Sequence, residues 1–347
     1  MRRKQLALFA LALIAGTGIG VTATWFWAKE TVHERYDGWL TERRAEGYRF
    51  TRAEPAFGGF PIRLTARLDT PAVAAPAGWR WQAPVLRGRA DLIDPLAVNV
   101  NAPGSHILTL PSGRDLRLDA ESVDGELRFV PQTGTQGGAL SLRGARLTGL
   151  DAGTVAADAV DLSLQPLPAE GRETTDIGFD AAARQLLLPP RADTPFGRQI
   201  ESLTLDGVAR GPVPEKLDAQ SLHAWRQAGG KVDVHRVDII WPPLRMTGDG
   251  QLGLDGRLRP EGTLDVAVEG LGPALDRLEK TGVIEPKTAA YAKMAIAALT
   301  AQQSDAGEGK VKLPLSFREG QVFLGPVPLW KLSPVLADRT TRLGALR

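Results

Sequence analysis

The sequence predicts a mainly β protein: an elongated antiparallel meander or curved sheet, half-barrel or sandwich-like, with a few packed helices, behind one N-terminal transmembrane helix. Three observations predict it. An apolar run of 23 residues opens the chain, short alternating apolar–polar phrases recur through the rest, and 38 Gly and 25 Pro among 347 residues punctuate those phrases with turns.

The apolar run is Leu6 to Ala28, which carries no charge. As a helix it would span about 35 Å, enough for a hydrocarbon core of roughly 30 Å. Arg2, Arg3 and Lys4 precede it, so the positive-inside rule keeps the N-terminus cytoplasmic and sends the remainder across the membrane. Trp25, Phe26 and Trp27 close the run where an interfacial aromatic belt would sit. A cleaved signal peptide is the competing reading, with Val21-Thr22-Ala23 as its loose cleavage site. Both readings deliver the bulk of the chain outside the cytoplasm. The expected location is a bacterial inner membrane, single-pass, with the C-terminal bulk in the periplasm, or the periplasm alone after cleavage. The expected organisation is residues 1–28 as basic start and anchor and 29–347 as the β-rich domain, with sub-lobes at about 48–212 and 213–347.

Lys29 to Gly47 reads as a short polar helix leaving the membrane, with Val32, Tyr36, Trp39 and Leu40 near one face and Gly47 as its cap. Ile62, Leu64, Ala66 and Leu68 then alternate with Arg63, Thr65, Arg67 and Asp69 as a half-buried strand, and extended chain continues through Trp79, Trp81 and Val85-Leu86 to a break at Asp94-Pro95. The same phrase returns at Leu116–Leu118, Leu127–Phe129, Leu140–Leu142, Leu162–Leu164, Leu203–Leu205, Val232–Val234, Leu252–Leu254, Leu264–Val268 and Val311–Phe317. Alternation places Leu and Val on one face and Ser, Thr, Asp and Arg on the other. The short intervals favour hairpins, and no fixed repeat length emerges, so the meander is irregular. Pro214 to Ala228 and Pro273 to Thr300, the latter broken at Pro286, read as helices packed on a sheet. Thr133 to Gly138 and Ser304 to Gly309 read as loops.

Composition removes several function classes. There is no Cys, which excludes disulfides, thiolate metal sites and a cysteine nucleophile. Net charge is +2, of which Arg2, Arg3 and Lys4 supply +3, and the remaining charges are interspersed rather than gathered in a phosphate-tracking stripe. Gly248-Asp249-Gly250-Gln251-Leu252-Gly253 matches the dinucleotide fingerprint in letters only, because it runs into an alternating strand where a helix N-terminus is required. His33, His106, His223 and His235 show no metal-ligand spacing among themselves, and no G-x-S-x-G elbow is present. The expectation is therefore a protein that is not an enzyme and takes no cofactor.

Several phrases resemble a known family. The basic start with one membrane helix, Gly59-Phe60-Pro61-Ile62-Arg63-Leu64, Trp81-Gln82-Ala83-Pro84, Trp225-Arg226-Gln227-Ala228-Gly229-Gly230 and Gly250-Gln251-Leu252-Gly253-Leu254-Asp255 are similar to the proteobacterial domain-of-unknown-function 2125 family. So are Leu258-Arg259-Pro260-Glu261-Gly262 and Glu319-Gly320-Gln321-Val322. The similarity covers nearly the whole chain and attaches no catalytic residue. In architecture the chain also resembles AsmA-type proteins, which implies a β surface in the periplasm and a part in lipid handling and envelope maintenance. The implied partners are the membrane, lipid acyl chains or an envelope protein, with no nucleic acid and no metal. Candidate lipid-facing residues are Leu116, Leu118, Leu203, Leu205, Leu252, Leu254, Val266 and Val268. The alternative function is an envelope scaffold or assembly factor acting through its surface, with Trp79, Trp241 and Trp330 as contact sites.

Overall fold

The computed structural model describes residues 2–335 apart from 53, 131–134, 169–174, 191–195, 213–217, 283, 303–309, 325–326 and 333, and the side chains of residues 2–21 lie outside that set. The chain forms two compact units, Met1–Phe129 with Leu140–Asp151 and Val130–Ala139 with Ala152–Arg347. The boundary expected near residues 212–213 falls inside the second unit.

The first unit begins with helix α1 (Arg2–Ala45). The separate polar helix expected from Lys29 is instead its continuation, because no proline precedes Pro55 to interrupt the ladder. The helix ends as expected at Gly47, whose φ of +92° lets its amide and that of Tyr48 reach the Arg44 and Arg43 carbonyls, at 2.9 and 3.0 Å. Among the described residues no helix is long and apolar enough to cross a membrane. Most of the expected span, with the topology residues Arg2, Arg3 and Lys4, has its side chains outside those residues.

After α1 come five extended runs, each broken once: β1 (Arg49–Thr51) with β2 (Ala56–Gly58), β3 (Arg63–Asp69) with β4 (Ala72–Ala74), β5 (Arg80–Gln82) with β6 (Val85–Asp91), β7 (Asp94–Asn101) with β8 (Gly104–Thr109), and β9 (Asp115–Ala120) with β10 (Ser122–Val130). Each run pairs antiparallel with the next: β2 with β3 and β1 with β4, β3 with β6 and β4 with β5, β6 with β7 and β5 with β8, β7 with β10 and β8 with β9. β9 then pairs with the end of β11 (Thr135–Thr148). This is a plain meander.

The breaks line up across the strands. Pro55, Pro71, Pro84 and Pro103 each lie in one, and a proline has no N–H to give to a ladder. The Thr70 amide donates to the Pro84 carbonyl (2.8 Å), that of Ala102 to Val123 (2.8 Å) and that of Glu121 to Arg143 (2.9 Å), which stitches the line together. Arg52, Thr70, Gly104 and Gly144 along it have φ of +53°, +49°, +100° and +57°. The sheet is thus creased at one level. The break expected at Asp94-Pro95 lies just before it, at Leu92-Ile93 in the β6–β7 turn, and Asp94 and Pro95 open β7.

The second unit continues the meander through β12 (Val155–Pro168), β13 (Thr175–Leu187), β14 (Gln199–Arg210), β15 (Lys231–Trp241), β16 (Leu244–Leu254), β17 (Pro260–Glu269), β18 (Lys310–Arg318), β19 (Gln321–Leu324) and β20 (Val327–Lys331), each antiparallel to its successor. α2 (Ala219–Gln227) interrupts after β14, capped by the Asp218 carboxylate on the Ser221 amide at 2.8 Å. Trp225 is buried, whereas Pro214 and Leu217 of the expected helix lie outside the described residues. α3 (Leu271–Lys280) and α4 (Pro286–Gln302) realise the expected broken pair. Of the two expected loops, Thr135 to Gly138 belong to β11, and Ser304 to Gly309 fall outside the described residues. The core is one cluster on the sheet, Val234, Val237, Leu244, Leu264, Val266 and Val268, joined by Ala274 of α3. The observed architecture is mainly β, a long open antiparallel sheet with four helices among the described residues.

Candidate apolar contact surface

Period-two alternation sorts the side chains of the first unit onto two faces. On β3 the apolar set is Leu64, Ala66 and Leu68; opposite it on β6 stand Ala90, Gly88 and Leu86. The row continues into Val98 and Val100 on β7 and Leu127 and Gly125 on β10. Leu127 faces Val98 directly, with Leu96 and Phe129 next along the same strands. Leu96, Val98, Leu127 and Phe129 keep 41%, 38%, 52% and 41% of their surface exposed. An apolar face is present here, and its end is uncovered.

Beyond the crease the apolar row is Phe50, Val73, Trp81, Leu108 and Leu116, each opposite the next. Leu118 stands opposite His106 on one side and Leu147 on the other. Both Leu116 and Leu118 are half-buried. His106 is buried, its Nε2 2.7 Å from the Ala102 carbonyl and its ring stacked on Trp81, so it belongs to the crease.

In the second unit the apolar face runs from Leu162 and Leu164 on β12, opposite Ala181 and Phe179, through Leu203 and Leu205, Val237 and Ile239, and Met246 to Val266 and Val268. Val266 and Val268, expected to face lipid, are 2% and 0% exposed within the core cluster, and Leu205 and Leu252 pack against it. Leu203 and Leu254 are half-buried. Protein fills the middle of this face, while Leu162 and Leu164 at its β12 side are exposed. Sequence reasoning named alternating residues throughout without separating the covered stretch from the open one, and it left Leu96 and Val98 out altogether. The signal for them was present in Leu96-Ala97-Val98-Asn99-Val100, an alternating run after Asp94-Pro95.

The opposite faces are charged. In the first unit a depression of about 440 Å³ lies between two cross-strand rows, Arg67–Arg87–Asn101–Asp124 and Thr65–Arg89–Asn99, floored by the Gly88 and Gly125 backbone. Its charges are largely satisfied locally: Arg67 pairs with Asp69 at 2.6 Å, and Arg87 donates to the Asn101 side chain at 3.2 Å. A second polar recess of about 1070 Å³ lies between α1 and the strands beside it, lined by His33, Asp37, Arg44, Glu54, Arg67 and Asp69. In the second unit Arg210 bridges Asp233 and the buried Asp176, whose carboxylate also accepts the Gly211 amide at 3.2 Å. Among the described residues no group of three His, Asp or Glu side chains could hold a metal ion. The G-x-G-x-x-G stretch lies wholly within β16, where a Cβ at Gly248 would meet the Asp265 carbonyl at 2.3 Å and one at Gly250 the Thr263 carbonyl at 2.4 Å. These glycines let neighbouring strands close up. His235 is exposed.

The expected interface residues Trp25, Phe26 and Trp27 sit where α1 meets the β2–β3 turn. Trp25 is buried, donates from Nε1 to the Arg63 carbonyl at 2.6 Å, and packs edge-on against Phe60 with ring centres 5.5 Å apart. Phe26 and Trp27 are exposed. Behind the turn, Asp91 takes hydrogen bonds from Arg89 and Arg63, and that from Arg89 holds its carboxyl below the usual carboxylate range. Of the tryptophans considered as contact sites, Trp79 packs beside Tyr48, Trp241 donates to the Gly197 carbonyl at 3.0 Å, and the Trp330 side chain lies outside the described residues.

A family model described as "uncharacterized protein conserved in bacteria" (DUF2125) matches residues 25–332. No curated protein matches the chain, and neither does any solved structure.

Proposed function

The chain belongs to the bacterial DUF2125 family, and from that premise we propose that it is an inner-membrane-anchored periplasmic protein that binds lipid acyl chains on an uncovered apolar sheet face. The observation that carries the reading is the patch of Leu96, Val98, Leu127 and Phe129, four large apolar side chains on adjacent strands that keep 38–52% of their surface exposed among the described residues. A patch of this kind is stable in water only at a cost, and it marks a contact site. An acyl chain burying about 300 Å² against it would gain about 7 kcal/mol before association costs. No catalytic group is needed for such binding, and the reading includes none.

The test is mass spectrometry of the full chain extracted from its native membrane, with uptake of a pyrene-labelled fatty acid by the delipidated protein. Copurifying lipid and saturable uptake are the expected results. Absence of both, with a stoichiometric protein partner in the extract, would replace this reading with the scaffold one.

A further inference from the structure

We infer that the β2–β3 and β6–β7 turns form an apolar rim that dips into the membrane interface, so that the uncovered apolar face opens directly onto the acyl layer. The inference rests on the anchor and acyl-binding readings above, and it adds the route by which lipid reaches the face.

Four observations carry it. First, α1 is continuous from the expected span into the first unit, so no flexible linker separates membrane from sheet. Second, Trp25 is tied to the β2–β3 turn by its bond to the Arg63 carbonyl and by ring contact with Phe60, and Phe26 lies 6.4 Å from Phe60. If Trp25 to Trp27 mark the interface, Phe60 is at the interface too. Third, the β6–β7 turn is fastened to the same place, with the Leu92 amide donating to the Ile62 carbonyl at 3.1 Å. Phe60, Ile62 and Ile93 are exposed there, Ile93 at 88%. Exposed apolar side chains at hairpin tips are costly in water and favourable in an interface. Fourth, Leu96 and Phe129 sit at this same end of their strands, because the start of β7 pairs with the end of β10. Just behind the rim, Arg63 and Arg89 pair with Asp91, and Arg128 with Asp94, so the two acids beside the β6–β7 turn carry their own counter-charges.

The native chain has no Cys, so single cysteines can be labelled without background. Full-length protein carrying Ile93→Cys, Phe60→Cys, Leu13→Cys or Ser112→Cys is labelled with an environment-sensitive fluorophore. Each variant is then reconstituted in phosphatidylethanolamine–phosphatidylglycerol vesicles with brominated acyl chains. Quenching at Ile93, Phe60 and Leu13, but not at Ser112 on the β8–β9 turn, is the expected result. Quenching at Leu13 alone overturns the rim and leaves the anchor standing; quenching at none overturns the anchor and the rim with it. In a second arm, Phe60→Asp with Ile93→Asp slows pyrene-lipid uptake from vesicles roughly tenfold, while uptake of monomeric probe from solution is unchanged. Vesicle uptake unaffected by the two charges overturns the route, whereas no uptake from either source by the native chain overturns the acyl-binding reading beneath it.

Discussion

Asp255 shows how a single side chain closes a turn of the second unit. Its Oδ1 accepts the Arg257 and Arg259 amides at 2.8 and 2.9 Å, and its Oδ2 accepts Arg259 Nε at 2.7 Å. Arg259 in turn donates to the Glu319 carbonyl at 3.1 Å, which links the β16–β17 turn to the β18–β19 turn. Burial works to raise the Asp255 pKa, but the hydrogen bonds from Arg259 and Arg257 outweigh it and hold the carboxyl below its ordinary value. A depressed carboxylate contributes stability that is present above the unfolded pKa and lost as pH falls through the folded one. Asp255→Ala should therefore cost about 2 kcal/mol near neutrality. As pH falls below the ordinary carboxylate range, the difference from the native chain should shrink. Urea titrations at neutral and acidic pH check both; a gap that widened in acid would refute the assignment.

At the scale of elements, the crease organises the first unit. A proline in each of four consecutive runs removes a ladder donor at the same level, and left-handed residues turn the backbone there. Gly104 combines a φ of +100° with Pro84 Cγ 3.1 Å from where its Cβ would lie. Gly104→Ala should cost about 2 kcal/mol through backbone strain and crowding. Gly253→Ala is its control: nothing lies nearer than the Glu261 carbonyl at 3.8 Å, so a change within about 0.5 kcal/mol is expected. Thermal melts of the two variants decide the matter. The sequence alone reads as extended chain unbroken through Pro84 to Asp94-Pro95 and does not single out Pro71 or Pro103, because the alignment that makes these prolines a crease depends on strand register.

At the scale of the molecule, burial separates side chains that read identically along the chain. Val98 and Val268 each follow an alanine and precede a polar residue in an alternating run, yet one keeps 38% of its surface exposed and the other none. Val268→Asp should unfold the second unit, because an unpaired carboxylate would be placed in a dry cluster. Val98→Asp with Leu127→Asp should leave the melting temperature within a few degrees of the native chain and abolish uptake of the acyl probe. Circular dichroism and probe fluorescence on the same preparations separate these outcomes. Loss of folding in the Val98 and Leu127 variant would mean that the patch is core.

The sequence by itself determined the class of fold, the strand phrases, the helix pair around Pro286 and the family, because alternation, turn residues and local spacing are properties of neighbouring residues. The tertiary structure alone decided that α1 continues unbroken past Lys29, that the strand breaks form one crease, and that α3 covers Val266 and Val268 while Leu96 and Val98 stay bare. The physical reason is that alternation states which face of a strand is oily, whereas what lies against that face depends on residues brought from far along the chain.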